Sequence, residues 1–424
     1  MKILVIGGGG REHAIIQGLK KSAKKPILYA WPGNGGIARD AICVGTNATD
    51  IQGMVQFARN EKIDYVVVTP DDPLVLGAVD AFEAEGIPCF GPNARAAILE
   101  GSKIFAKELM KKYRIPTAAY AFFDEPEEAL AYMETAPVPT VIKADGLALG
   151  KGVVIAQTRA EARNAICSMM KEHVFGASGD RILIEEFLEG PEVSVLAFTD
   201  GKTLVPMISS MDHKRARDGD TGLNTGGMGA VAPNPYYTAS VAQKCMDEIF
   251  IPTMKAMQAE GRPFRGCLYF GLMLTKKGPK VIEYNCRFGD PETQVVLPLL
   301  ENDLLSVFQA VTEERLSELV IRFRDEAACC VVLASDGYPK SYEKGFPLSW
   351  NPREGISYFV AGAASQDGHL VTSGGRVLGV TALGKSLDSA IHKAYQAVRD
   401  VHFANKYYRS DIGRCALQAQ KEER

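Results

Sequence analysis

Apolar residues in the first hundred positions fall into short runs separated by stretches with helical spacing. Ile3–Ile6 is a buried-strand run and Arg11–Lys21 has helical periodicity. Pro26–Ala30, Tyr65–Val68 and Pro88–Phe90 are further strand-sized runs with helical patterns between them. Such alternation predicts a parallel, doubly wound α/β unit, broken by Gly91-Pro92-Asn93. A second region opens with a helix capped by Ser102. Strands are predicted at Thr140–Lys143, Val153–Ala156, Arg181–Glu185 and Val193–Thr199. A glycine-rich polar stretch, Asp212–Gly229, is too long for a simple turn. A long helix, Thr238–Glu260, then leads into a hairpin, Cys267–Thr275 and Lys280–Arg287, and a helix over Asp303–Leu319. Strands near Ala327–Ala334, Tyr358–Ala361 and Arg376–Ala382, with a helix at Ser386–Val398, make a small terminal α+β unit. The predicted division is 1–101, 102–325 with a mobile lobe at about 117–190, and 326–424.

Composition narrows the function class. The chain has 424 residues and a net charge of −3, so no basic excess argues for nucleic acid or an anionic membrane as main partner. Its longest apolar runs are strand-sized, and Met1 is followed at once by a strand, which predicts a cytoplasmic protein without a membrane span. Nine cysteines without a C-x-x-C pair read as reduced, buried thiols. The informative excess is Gly 41, gathered in loops.

The first glycine loop, Gly7-Gly8-Gly9-Gly10-Arg11-Glu12-His13-Ala14, joins a strand to a helix. Backbone N–H groups there can hold an anion. A dinucleotide fingerprint would need a third glycine at position 12, which holds Glu12, and an acid about 20 residues on, which is missing. Arg11 suits a phosphomonoester better; a tight turn with no ligand is the bland alternative. A second glycine loop, Asp145–Val153, follows Lys143 directly and suits polyphosphate oxygens. It is not a Walker loop, because neither Ser/Thr nor a helix follows Lys151. Glu185-Glu186-Phe187-Leu188, with Glu192 beyond the turn, suits an adenine-and-ribose clamp, or else solvated turn acids.

The most informative segment is Val281-Ile282-Glu283-Tyr284-Asn285-Cys286-Arg287. Strand alternation puts Ile282, Tyr284 and Cys286 on an apolar face and Glu283, Asn285 and Arg287 on the other. A carboxylate and an amide carbonyl are hard oxygen ligands for Mg²⁺, with phosphate completing the shell, and Arg287 can clamp an anion. Gly289-Asp290-Pro291-Glu292 reads as a helix start with Pro at its first position.

Together, Lys103, Lys143, the second glycine loop, Glu185–Glu192 and Glu283-Tyr284-Asn285 resemble the ATP-grasp ligases. Gly9–Ala14, Asp212-His213-Lys214-Arg215, Asn224-Thr225-Gly226-Gly227-Met228-Gly229, Arg287–Thr293 and Ser373–Val377 narrow the resemblance to the phosphoribosylamine–glycine ligase family, over about residues 1–415. One departure is Thr69-Pro70-Asp71-Asp72-Pro73, where the family usually has Gly-Pro-Glu.

The resemblance implies ATP-dependent ligation of glycine to 5-phosphoribosylamine through glycyl phosphate, a step of purine biosynthesis. It implies ATP as co-substrate, Mg²⁺ or Mn²⁺ on Glu283 and Asn285, and a monomer or weak dimer. ATP would be held by Lys103, Lys143, Gly146, Gly150, Gly152, Glu185, Glu186, Phe187, Leu188 and Glu192. Arg287, Asp212 and Lys214 would serve the chemistry. Gly9, Gly10, Arg11, Glu12, Arg215, Asn224, Gly227, Gly289 and Asp290 would hold the other substrates. The two glycine loops, Gly146–Gly152 and Gly219–Gly229, are expected to close over the intermediate, the first being mobile without ATP.

Overall fold

The structure is a computed structural model in which residues 1–148 and 152–422 are described. Its first sheet is parallel throughout, in the spatial order Ile42–Cys43, Ile27–Pro32, Lys2–Gly7, Tyr65–Val68, Cys89–Phe90. Alternate residues of the central strand feed two cores: Ile3 and Val5 pack with Ile15, Ile16 and Leu19, while Leu4 and Ile6 pack with Met54, Ala58 and Phe82. Both faces are therefore covered, as the unbroken apolar runs require. The carboxyl ends of the strands, at Gly7, Pro32 and Val68, form one rim, where open α/β sheets place their ligands.

Two antiparallel sheets follow. One, in the order Tyr120–Phe123, Ile182–Glu186, Thr140–Ala144, Val153–Ala156, has its own core around Met133, Ile142, Ile166 and Ile184. The other is ordered Leu204–Pro206, Glu192–Asp200, Arg265–Thr275, Gly278–Asn285. Lys143, near the end of its strand, reaches across to the Ile282 carbonyl at 3.1 Å, which links these two sheets. A six-stranded sheet closes the chain. It is built on Ala327–Ser335 and Arg376–Gly384 under the helix Leu387–Val398, but also takes Met211–Asp212 and Gly229–Ala232 from mid-chain.

Four sequence expectations are corrected. The Asp303–Leu319 helix ends at Thr312, because Glu314 turns left-handed (φ 56°) and a short 3-10 turn, Leu316–Glu318, follows. The stretch Asp212–Gly229 is not one open loop: it contains the hairpin Arg215–Arg217/Thr221–Asn224. Helix Thr293–Val296 starts after Pro291, not on it: its N-cap is Glu292, whose carbonyl accepts the Val296 N–H at 3.0 Å, while the Gln294 N–H turns back only as far as the Pro291 carbonyl. Strand alternation breaks at Ile282, where a β-bulge gives the core position to Val281 and leaves Ile282 half-buried. Tyr284 and Cys286 do occupy the core side. The Thr238–Glu260 pattern forms as expected, with a wider turn at Met246–Phe250 just before Pro252, which lacks the N–H that a regular turn needs.

Phe288 fastens the end of the informative strand to the rest. It is 1% exposed and packs with Phe90, Phe198 and Phe308, which come from the parallel sheet, the central antiparallel sheet and a flanking helix. Phe288→Ala is expected to cost about 3–5 kcal/mol, the range for truncating a buried aromatic. Urea unfolding checks this; a loss below about 1 kcal/mol would mean that the cluster closes over the gap.

Candidate active site

The rim of the parallel sheet, the central antiparallel hairpin and the loops of the six-stranded sheet converge on one cleft. On the first wall, Gly9 precedes the helix Gly10–Lys20 and its N–H donates to Glu12 Oε2 at 2.6 Å. Glu12 is 2% exposed; its other oxygen takes Arg11 Nε (2.6 Å) and Thr69 Oγ1 (2.7 Å). Arg11 Nη1 donates to the Phe288 carbonyl at 3.1 Å, tying this loop to the hairpin end. Thr69 and Asp71, from the departing Thr-Pro-Asp loop, thus abut two expected site residues, since Asp71 Oδ2 lies 3.9 Å from Arg287 Nη2.

The floor is the Gly278–Asn285 strand and its continuation. Burial works against the Glu283 charge, yet Lys214, Lys143, Lys103 and Arg287 outweigh it and hold the carboxyl below its ordinary range. With the Asn285 amide assigned from its neighbours so that the nitrogen faces the Glu100 carboxyl group, Nδ2 donates to Glu100 Oε1 at 2.9 Å and the carbonyl oxygen lies on the opposite side. Arg287 Nη2 is 2.8 Å from the same Glu100 oxygen, while Arg287 Nε is a buried donor with no partner.

Between the two antiparallel sheets lies a buried ion cluster. Lys107 Nζ and Lys143 Nζ lie 3.0 and 3.1 Å from Glu185 Oε2, and all three residues are under 5% exposed. Glu185 Oε1 has no partner. Burial pushes Lys107 down to about 8, with Glu185 opposing, so it is charged at neutral pH. Lys103 Nζ donates to the Gly146 carbonyl at 2.9 Å, and burial lowers its pKa against the pull of Glu283. Gly152 pairs back to Ala144, closing the base of the loop at 2.9 Å. The expectation for Gly150 lies outside the described residues. Glu186 is exposed, with Oε2 shared by the Ala119 N–H and Lys280; Phe187 and Leu188 are half-buried beside it. Glu192 is exposed and its Oε2 is 2.7 Å from Lys214 Nζ.

The remaining wall comes from the six-stranded sheet. Arg376 donates to the Gly226 carbonyl (2.5 Å) and to the Asp290 carbonyl, and its Nη2 sits 3.1 Å from Asp290 Oδ2. Gln294 Nε2 holds the other Asp290 oxygen at 2.6 Å. Asp212 Oδ1 is buried without a partner; burial first, then the Glu292 charge, pushes this carboxyl well above its usual range. Ser194 Oγ donates to Glu292 Oε1 at 3.3 Å and bonds the Tyr269 hydroxyl at 2.8 Å. A cavity of about 420 Å³ opens next to Gly8 and is lined by Asn34, Ala361, Ser365 and Ser373. A larger cleft of about 810 Å³, between Lys21, Glu301 and Arg324, shares no residue with it.

Most expected residues thus share one cleft, but the hairpin residues do not join them. Arg215 spends its guanidinium on the Gly222 carbonyl within its own hairpin (2.9 Å), and Asn224 is its strand partner there. His213 is structural: the Gly413 N–H donates to Nε2 (3.0 Å) and Nδ1 faces the Gly229 carbonyl (3.3 Å). Burial pushes it down to about 4, so it is neutral. Glu100, Lys107, Glu292 and Arg376 escaped the sequence reading. Two signals existed: Lys107 lies four residues after Lys103 on the same helix face, and Glu100 is an acid among buried Ala96, Ala97 and Leu99.

Comparison with known proteins agrees along the chain. Residues 1–100, 101–293 and 328–415 match the N domain, the ATP-grasp domain and the C domain of phosphoribosylglycinamide synthetase. The chain is similar to the phosphoribosylamine–glycine ligase of Caldanaerobacter subterraneus subsp. tengcongensis, 47% identical over 414 residues, covering 97% of this chain and 99% of the relative. It is also similar to that of Rhizobium meliloti, 48% identical over 415 residues, covering 97% and 98%. The crystal structure of the Thermotoga maritima phosphoribosylamine–glycine ligase superimposes with a TM-score of 0.85 at 36% identity, covering 97% of this chain and 100% of the other. A biotin carboxylase domain from Hydrogenobacter thermophilus shares the fold at 17% identity and a TM-score of 0.75. With three family domains in order and relatives matched end to end, this chain belongs to the phosphoribosylglycinamide synthetases, the phosphoribosylamine–glycine ligase family.

Proposed function

We propose that this protein joins glycine to 5-phosphoribosylamine at the expense of ATP, releasing glycinamide ribonucleotide, ADP and phosphate as a step of purine biosynthesis in the cytoplasm. The observation that carries the reading is the joining of two sites in one cleft. The lysine-lined nucleotide side and the glycine-loop anion side meet at Glu283, Asn285 and Arg287.

ATP lies between the two antiparallel sheets. Lys103 and Lys143 hold its phosphates, moving off the Gly146 and Ile282 carbonyls to do so. The Glu185–Leu188 segment receives adenine, and the unpartnered Glu185 Oε1 is placed to accept from its amino group. Glu283 and Asn285 fit a Mg²⁺ or Mn²⁺ ion: one is an ionised carboxylate among cations, the other has its carbonyl turned away from Glu100. Such a two-oxygen set leaves room for phosphate and water, the usual shell of Mg²⁺. When bound, the ion supplies neutralisation of phosphate charge.

The glycine carboxylate attacks the γ-phosphorus, ADP leaves, and glycyl phosphate forms. Positioning and charge neutralisation dominate such a transfer. Arg287 supplies charge and the free Nε donor to the moving phosphoryl group. Asp212 and Lys214 line the acyl pocket together with Gly227 and Gly289. The amine of phosphoribosylamine then attacks the acyl carbon and phosphate departs. Gly9, Gly10, Arg11 and Glu12 hold its phosphoribosyl part against Asp290. The test is ADP release with Mg²⁺, adding glycine and freshly made phosphoribosylamine separately and together. Sustained release is expected only with both; equal release with neither present would overturn the reading.

A further inference from the structure

Glu100 touches none of the positions assigned to substrates, yet it holds the floor of the cleft. It sits near the end of the helix Ala94–Gly101, three residues before Lys103, and is 7% exposed. Its two oxygens take donors from three consecutive residues of another segment. Cys286 donates its backbone N–H at 2.6 Å, Arg287 its Nη2 at 2.8 Å and Asn285 its Nδ2 at 2.9 Å. The helix is fixed from its far end, where Asn93 accepts from the Ala96 N–H (2.9 Å) and Asp80 from the Ala94 N–H (2.8 Å). The carboxylate is therefore a rigid post.

The contacts are selective in what they leave free. Arg287 is gripped by one nitrogen, and its Nε keeps no partner. Asn285 is gripped by its nitrogen, which sends its oxygen the other way. We propose that Glu100 is a positioning residue for the transfer step: through these bonds it orients the Arg287 guanidinium and the Asn285 carbonyl together. The proposal rests on the roles given above to Arg287 and Asn285. Without this post, Arg287 would turn to Asp71, the next carboxylate at 3.9 Å, and the Asn285 amide would be free to rotate.

Glu100→Gln tests this, because an amide has one acceptor oxygen where three donors converge. The expected result is a fall in kcat of about 100-fold with KM for phosphoribosylamine changed by less than about threefold, the pattern of a lost transition-state contact. Tightening of ADP binding by Mg²⁺, read by calorimetry without turnover, should shrink by about fivefold or more. A double-mutant cycle with Arg287→Lys should be strongly non-additive, with Glu100→Gln costing less than about fivefold in the lysine background. Glu100→Asp keeps the charge on a shorter arm and should recover part of kcat. Unchanged kcat in Glu100→Gln, or effects that simply multiply, would overturn the proposal. If Glu100→Gln does not fold, the cycle is run with Glu100→Asp and read the same way. A near-normal Arg287→Lys would instead sink the Arg287 assignment beneath it.

Discussion

Glu283→Gln is expected to lower turnover by about 1,000-fold or more while leaving the protein folded. The substitution is isosteric, so packing is conserved. It removes the one carboxylate that Lys103, Lys143, Lys214 and Arg287 jointly stabilise. A bound metal ion would lose its charged ligand, and the lysines lose the charge that offsets their mutual repulsion. Lys103 carries a second signature. Burial already lowers its pKa and Glu283 is the largest influence raising it, so the variant should release the Lys103 proton at lower pH. ADP binding in Glu283→Gln should weaken at a lower pH than in the unaltered protein. Turnover within about tenfold of normal would remove Glu283 from the metal site.

Gly227→Ala should strongly impair the use of glycine although it adds a single methyl group. Gly227 has φ +109°, a conformation that costs a side chain about 1–3 kcal/mol. A Cβ there would also lie 2.4 Å from Pro291 Cδ and 2.7 Å from Asp212 Oδ1. Neither neighbour can yield cheaply, because Arg376 binds both the Gly226 and the Asp290 carbonyls and locks the two loops together. A displacement of about 1 Å at the acyl pocket should reduce kcat/KM for glycine about 100-fold. Gly86 is the control: its φ is +74° but nothing lies within 4 Å, so Gly86→Ala should cost stability alone. Comparable kcat/KM for glycine in the two variants would show that Gly227 does not shape the pocket.

The elements with strong local signals were legible in the amino-acid sequence. Val66 to Val68 and Val153 to Ala156 are apolar runs with β-branched residues, and they form strands at those positions. Ser102 caps its helix because a hydroxyl can accept from the Phe105 N–H. What failed depended on distant partners. Ile282 leaves the alternation because a bulge opposite Gly271 and Leu272 is a property of the strand pair. Arg215, expected at the site from the family resemblance, bonds the Gly222 carbonyl of its own hairpin, a contact that spacing does not reveal. Glu100 was marked only by its apolar neighbours, because its three donors lie 185–187 positions away along the chain. The six-stranded sheet could not be drawn from one segment, since Gly229–Ala232 pairs with Ala328–Val331 from far along the chain. The family resemblance carried what spacing alone left open, namely the pairing of a nucleotide lobe with a phosphoribosyl site.

In the proposed reaction ATP activates the glycine carboxylate for attack by the amine of phosphoribosylamine. Glycine labelled with ¹⁸O in both carboxyl oxygens tests it in a single reaction with ATP, Mg²⁺ and phosphoribosylamine. Attack by the carboxylate on phosphorus, followed by loss of phosphate from the acyl carbon, moves one labelled oxygen into each phosphate. The account predicts glycinamide ribonucleotide, ADP and singly labelled phosphate in equal amounts. Ligated product accompanied by unlabelled phosphate would contradict it.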